Sequence, residues 1–175
     1  MSTVQGFAVW LTGLPASGKS SITRELAKRL HELHVPVVML ESDRLRDILT
    51  PDATYSPEER DRFYRAMAQL GELIVRNGIN VIFDATANRL AYRDYARTLI
   101  PKFVETYVRC PLELCMKRDP KGIYERARSG AAATVPGPQS AYEQPIAPEI
   151  TLDCVDSIEA SAKVVLNKLK QLLYI

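Results

Sequence analysis

Gly13, Leu14, Pro15, Ala16, Ser17, Gly18, Lys19 and Ser20 form a complete G-x-x-x-x-G-K-[ST] pattern, and Ser21 follows directly. This is the feature that most restricts what the chain can fold into. The run Phe7 to Thr12 before it is apolar enough for a buried strand. The run Ser21 to His34 after it carries Ile22, Leu26, Leu30 and Leu33 at helical spacing. A glycine loop between a strand and a helix wraps phosphate groups with successive backbone N–H groups, helped by the partial positive charge of the helix N-terminus. Lys19 is placed to reach the β- and γ-phosphates, and the Ser20 hydroxyl to hold Mg²⁺. Residues 13–21 are therefore expected to bind ATP.

Composition narrows what the nucleotide is for. The 175 residues suit one domain, with 46% hydrophobic and 25% charged residues and a net charge of +2. That near-neutral balance gives no reason to expect a nucleic acid partner. No apolar run approaches the ~20 residues of a membrane span, and no signal-peptide pattern opens the chain. Cys110, Cys115 and Cys154 are odd in number and lack C-x-x-C spacing, so they read as reduced thiols of a cytoplasmic protein.

Strands and helices then alternate. Strands are expected at 36–40, 79–83, 103–109 and 149–153, and helices at 56–77, from Asn88 to Ile100, at 112–118, 121–129 and 157–173. Ser56 caps its helix with Pro57 at the first position, Asn77-Gly78 closes it, and Asn88 is the expected cap of the next one. Repeated β-α units imply an α/β fold, a parallel sheet covered by helices on both faces, with ligands at the carboxyl ends of the strands. Ala131 to Pro148 breaks the pattern. It holds four prolines and few structure signals, and reads as a lid that keeps water from a transferred phosphoryl group.

Polar residues at strand ends supply the candidate chemistry. Asp84 follows a hydrophobic strand, as a Walker-B carboxylate that reaches Mg²⁺ does. Asp43 follows the second strand and is the candidate for orienting the acceptor or taking its proton. Arg44, Arg46, Arg60, Arg62 and Arg65 flank the loop 51–55, and only some of them can point at one anionic ligand. Lys121, Arg126 and Arg128 are the basic group from which lid cations would come. His31 and His34 have no carboxylate or thiol cluster beside them and read as ordinary residues of a helix end.

These residues resemble the adenylyl-sulfate kinases. Trp10 to Leu14 is similar to that family's version of the phosphate-loop approach. Arg118-Asp119-Pro120-Lys121-Gly122-Ile123-Tyr124, Ala127 to Gly130, and Tyr142-Glu143 with Pro145, Pro148 and Glu149 continue the likeness from Phe7 to about Asp153. The resemblance implies a P-loop NTPase kinase fold, a single domain over 1–175, strand order 2-3-1-4-5 and a lid region about 119–148. It further implies transfer of the ATP γ-phosphoryl group to the 3′-hydroxyl of adenylyl sulfate with Mg²⁺, and a homodimer. By position it places Asp43 near the acceptor hydroxyl, Arg46, Arg60 and the aromatic Tyr55 at the acceptor, and Lys121 in the lid.

The departures leave alternatives open. Glu41-Ser42-Asp43-Arg44 keeps only the second aspartate of the family's Asp-Gly-Asp-Asn, Phe63 stands where an asparagine is expected, and Val135 where a lid phenylalanine stacks on the acceptor base. Ala87 replaces a serine. Asp84 to Arg89 resembles instead the Asp-x-Thr-x-Asn stretch of polynucleotide-kinase-type enzymes. A kinase for another nucleotide, sugar or polynucleotide hydroxyl is the alternative, and a nucleotide-binding module without transfer is the third. Retention of Lys19, Ser20, Asp43 and Asp84 together argues against that third reading.

Overall fold

The computed structural model describes residues 5–132 and 134–175. Five strands, β1 (Ala8–Thr12), β2 (Val37–Glu41), β3 (Asn80–Asp84), β4 (Phe103–Arg109) and β5 (Ile150–Asp153), pair in parallel in the order β2-β3-β1-β4-β5. The P-loop kinase order implied by the resemblance is thus the one observed. Among the described residues seven helices accompany them: α1 (Lys19–Glu32), α2 (Ser42–Leu49), α3 (Pro57–Arg76), α4 (Leu90–Leu99), α5 (Leu112–Arg118), α6 (Ile123–Arg128) and, after the last strand, α7 (Ile158–Gln171).

Each face of the sheet has its own core. Trp10, Phe83, Phe63, Met67 and Ile100 pack between the sheet and α3 and α4. Val9, Leu11, Leu26, Leu30, Val104 and Val165 pack between it and α1 and α7. The first core is tight: Trp10 stacks on Phe83 with ring centroids 4.4 Å apart. A Cβ on Gly71 of α3 would sit 2.1 Å from the Phe83 ring, so only glycine lets the helix lie this close to β3.

Several local expectations need correction. β2 is an edge strand, with Leu40 its one buried residue, because only β3 flanks it. Residues 42–49, for which no helix is expected, form α2 with buried Arg46 facing inward. The helix after the phosphate loop starts at Lys19, two residues earlier than the apolar stripe suggests. Ser56 caps α3 as expected, accepting from the Glu59 N–H at 3.2 Å. Asn88, by contrast, caps nothing: Arg89 is the N-cap of α4, and the free Leu90 N–H is satisfied by Glu143 Oε2 at 2.6 Å. A lid carboxylate does the capping, a partner that no local pattern encodes.

Among the described residues, 131–149 hold no helix or strand beyond an isolated bridge between Pro136 and Ser140. The segment is nevertheless organised. Val135 O accepts from the N–H groups of Gln139 and Ser140, and Gln139 Nε2 donates to Ala132 O and Ala127 O. Ala133, inside the expected lid, lies outside the described residues.

Candidate active site at the carboxyl edge of the sheet

The carboxyl ends of β1, β2, β3 and β5 open onto a single cleft of about 1460 Å³ that runs beneath the lid. Pro15 to Ser21 form its floor, and Asp43, Arg46, Tyr55, Arg60, Asp84 and Lys121 all line it. Gly13 and Leu14 do not line it. Their carbonyls lie behind the loop and accept from Lys19 Nζ at 3.0 and 2.8 Å. Gly18, with φ 103°, supplies the left-handed turn from which α1 starts. Of the five arginines around loop 51–55, Arg46 and Arg60 line the cleft, while Arg65 lies over the Tyr95 ring at 4.9 Å. Lys121 and Arg126 of the second basic group line it as well.

Charges alternate along the cleft. Burial lowers the Lys19 ammonium from its ordinary value, and Asp84 and Asp43 oppose that shift. The parallel register sets Asp84 beside Glu41 of β2, so two strand-end carboxylates stand next to each other. Lys121 Nζ reaches Asp43 Oδ2 at 2.6 Å, and this bond raises the Lys121 ammonium. Among the described residues no group of three or more His, Cys, Asp or Glu converges. Mg²⁺ takes hard oxygen ligands from one or two side chains and fills its remaining positions with phosphate and water. The Ser20 hydroxyl and the Asp84 carboxylate, both lining the cleft, are such donors.

Arg46 and Arg60 are held by neighbours on other elements. Arg46 is 7% exposed, pairs with Glu59 at 3.0 Å, and places its guanidinium 3.9 Å from the Phe63 ring centroid and 4.8 Å from that of Tyr55. Phe63 therefore supports an arginine from below, a role its position in the sequence does not announce. Glu59 also accepts from Thr54 N–H and hydroxyl and from Tyr55 N–H. Burial alone would raise this carboxyl. The Thr54 and Tyr55 donors and the Arg46 charge outweigh it and hold the group low. Arg60 donates to Tyr55 O, to Asn88 Oδ1 and, through Nη2, to both oxygens of Thr134 in the lid.

The lid signature has a structural explanation. Asp119 ends α5 and accepts from the N–H groups of Ile123 and Glu125, so it caps α6 across a break at Gly122, φ 62°. Burial would raise its carboxyl, and these backbone donors lower it instead. The break turns Lys121 toward Asp43. Arg118 Nη2 bonds Cys154 O, tying the same turn to the end of β5. The three thiols are free and gather there, Cys110 and Cys115 buried and Cys154 half-buried.

Sequence reading missed one arm of the cleft, formed by Asp153 to Glu159 in the turn from β5 into α7. The rule that ligands bind beyond the carboxyl ends of parallel strands points to it, but no motif marks it. It also missed Glu59 and Thr134, whose partners are visible only in three dimensions.

Comparison with known proteins agrees with this geometry. The family model described as adenylylsulphate kinase matches residues 5–153. A probable adenylyl-sulfate kinase from Pyrococcus abyssi is 36% identical over 173 residues, covering 98% of this chain and 99% of its relative. The adenylyl-sulfate kinase of Gloeothece citriformis is 37% identical over 174 residues, covering 98% of each. The Mycobacterium tuberculosis APS kinase CysC, solved in complex with AMPPNP and APS, superposes with a TM-score of 0.90 at 32% identity, covering 95% of this chain and 98% of that one. A sugar kinase from Janibacter, at 18% identity and a TM-score of 0.67, shares the fold. With the family model matched over residues 5–153 and relatives 36% and 37% identical over almost the whole chain, the chain belongs to the adenylylsulphate kinase family.

Proposed function

We propose that this protein transfers the γ-phosphoryl group of ATP to the 3′-hydroxyl of adenylyl sulfate, giving 3′-phosphoadenylyl sulfate and ADP. The observation that carries the reading is one cleft lined by both the phosphate loop and the Asp43–Lys121 pair. ATP lies with its phosphates on residues 15–21 of the phosphate loop and its base toward the arm at Asp153 to Glu159. Adenylyl sulfate lies on the other side, against Tyr55, Arg46 and Arg60. Mg²⁺, held by Ser20 and Asp84, neutralises phosphate charge when bound.

The remaining work belongs to the chain's own groups. Lys19 leaves the Gly13 and Leu14 carbonyls for the β- and γ-phosphates. Lys121 arrives from the lid and adds a second cation where charge develops. Asp43, freed of Lys121 as that lysine turns to phosphate, orients the acceptor hydroxyl and accepts its proton. No covalent enzyme intermediate is needed, and Ala87 offers no hydroxyl for one. Catalysis rests on positioning and electrostatics. The free thiols support a cytoplasmic setting. Among the described residues no helix is long and apolar enough to cross a membrane. The working unit in this reading is a homodimer, as the family resemblance implies.

The test is incubation with ATP, Mg²⁺ and adenylyl sulfate, with 3′-phosphoadenylyl sulfate followed by chromatography. Lys19→Ala is expected to lower turnover ~10²–10³-fold, the scale of removing one preorganised charge-stabilising donor. Product formed equally by both proteins would overturn the loop's role. ATP bound without product would overturn the acceptor.

A further inference from the structure

The stretch Asp84 to Arg89 departs from the family pattern, yet it sits at the centre of the lid's attachment. Asn88 is 6% exposed, and its amide uses both ends. Its Oδ1 accepts from Arg60 Nη1 at 3.4 Å, and its Nδ2 donates to Ala141 O in the lid at 3.0 Å. Its own carbonyl accepts from the Glu143 N–H at 2.8 Å. Arg60 in turn grips Thr134, at the other end of the same lid segment. One side chain therefore touches both the arginine placed at the acceptor and the strap that closes over it.

We propose that Asn88 is a positioning residue that couples the seating of the lid to the orientation of Arg60, and so to acceptor binding. The inference rests on the reading of Arg60 as an acceptor contact. Its physical basis is the arginine's freedom. A guanidinium has five donors on a long flexible stem, and it presents a fixed face to a sulfate or phosphate only if its remaining donors are engaged. Tyr55 O fixes the Nε side, Thr134 fixes Nη2, and Asn88 is the neighbour that fixes Nη1. Only an amide serves here: an aspartate could accept from Arg60 but could not donate to the Ala141 carbonyl. The phosphate loop makes no use of Asn88, so the ATP site is independent of it.

The experiment compares wild type, Asn88→Ala and Asn88→Asp in two ways: KM for adenylyl sulfate and for ATP, and the rate of tryptic cleavage at exposed Arg128. Asn88→Ala is expected to raise the KM for adenylyl sulfate about tenfold, the scale of a hydrogen bond to a charged group. The KM for ATP should stay within about twofold, and lid cleavage should quicken. Asn88→Asp keeps the Arg60 bond and gives up the Ala141 bond. It should therefore share the faster cleavage with a smaller rise in acceptor KM. An unchanged acceptor KM in Asn88→Ala, or equal rises in both KM values with a lowered melting temperature, would overturn the coupling. Asn88→Asp matching Asn88→Ala in acceptor KM would overturn the route through Arg60. If wild type forms no product, the acceptor reading itself fails, and the cleavage rates alone then decide whether Asn88 seats the lid.

Discussion

The floor and the lid of the cleft are built by opposite means. On the floor, Lys19 bonds Gly13, Leu14 and Ser17, all within six residues of it, and the loop's shape comes from backbone conformation. The lid is tied to the rest of the molecule, by contrast, through bonds that span the chain. Arg60 to Thr134 bridges 74 positions, Lys121 to Asp43 bridges 78, and the Thr12 and Tyr142 hydroxyls, 2.9 Å apart, bridge 130. A loop held by its own neighbours is formed before substrate arrives. A strap held by distant side chains can be released without unfolding what lies beneath it, as a covering element must be.

The lid's two parts differ in the same sense. Its C-terminal part is riveted by buried groups. The fully buried Arg93 pairs with Glu105 at 2.7 Å and donates to the carbonyls of Ala87 and Glu143. Lys121 itself is held through an ion pair whose side chains are 58% and 69% exposed, while Arg118 on Cys154 O and Tyr124 on Pro15 O anchor the elements beside it. Exposed pairs of this kind contribute about 0–1 kcal/mol. Opening is therefore expected at Lys121, with the hinge near Tyr142 and Glu143. The largest effect should come from cutting the rivet. Arg93→Ala takes from the buried Glu105 its 2.7 Å partner and leaves it only the 3.4 Å pair with Arg97, and breaking a buried pair costs about 3–5 kcal/mol. Urea unfolding should show it, and a cost under about 1 kcal/mol would mean that the buried charge does not hold the lid to the sheet.

Glu149 gives a second, smaller way to probe the riveted part. Its carboxylate receives both Arg97 Nη groups, at 2.6 and 2.9 Å, and the Glu105 N–H at 2.6 Å. Burial would raise this group, but the Arg97 and Glu105 donors hold it below the ordinary 4.5. A carboxylate depressed by folding contributes stability that is complete above the unfolded value. That contribution is lost as pH falls through the folded value. Glu149→Gln is expected to destabilise by about 2 kcal/mol at neutral pH, the scale of hydrogen bonds to a charged group. The gap from wild type should narrow below pH 4.5. Unfolding midpoints at neutral and acid pH that kept the same gap would show that ionisation of Glu149 is irrelevant there.

The contrast between floor and lid also explains what could be read from sequence. The phosphate loop, the alternation of strands and helices and the Ser56 cap depend on neighbours a few residues away, so periodicity and motif reveal them. Lys121 was legible because its signature packs a helix end, a break and a cap into seven residues. Asn88 misled: its residue type suits a helix cap, and tertiary structure gave that task to Glu143. Phe63 reads in the sequence only as a departure from an expected asparagine, and the fold shows Arg46 resting on its ring. Arg60 is expected as a cation of the site, and the fold sets it in the cleft and adds its grip on Thr134, 74 positions away, which no local pattern encodes.

Val135 is where the comparison can be sharpened most finely, because it belongs to both regions. It is 6% exposed and packs in a small cluster with Cys110, Cys115 and Tyr124, yet it also lines the cleft. A phenylalanine there has two places to go. Directed into the cleft, which Tyr55 also lines, its ring could stack on the base of the proposed acceptor, and a base–aromatic stack contributes about 1–3 kcal/mol. Forced into the cluster, it would overpack at a cost of about 1–3 kcal/mol in stability. Val135 O accepts from Gln139 and Ser140, which holds the backbone beside the cleft that Val135 lines. Val135→Phe is therefore expected to tighten adenylyl sulfate about tenfold by calorimetry with little change in melting temperature. A lowered melting temperature with an unchanged dissociation constant would assign Val135 to the lid's interior alone and leave the acceptor base with one aromatic neighbour.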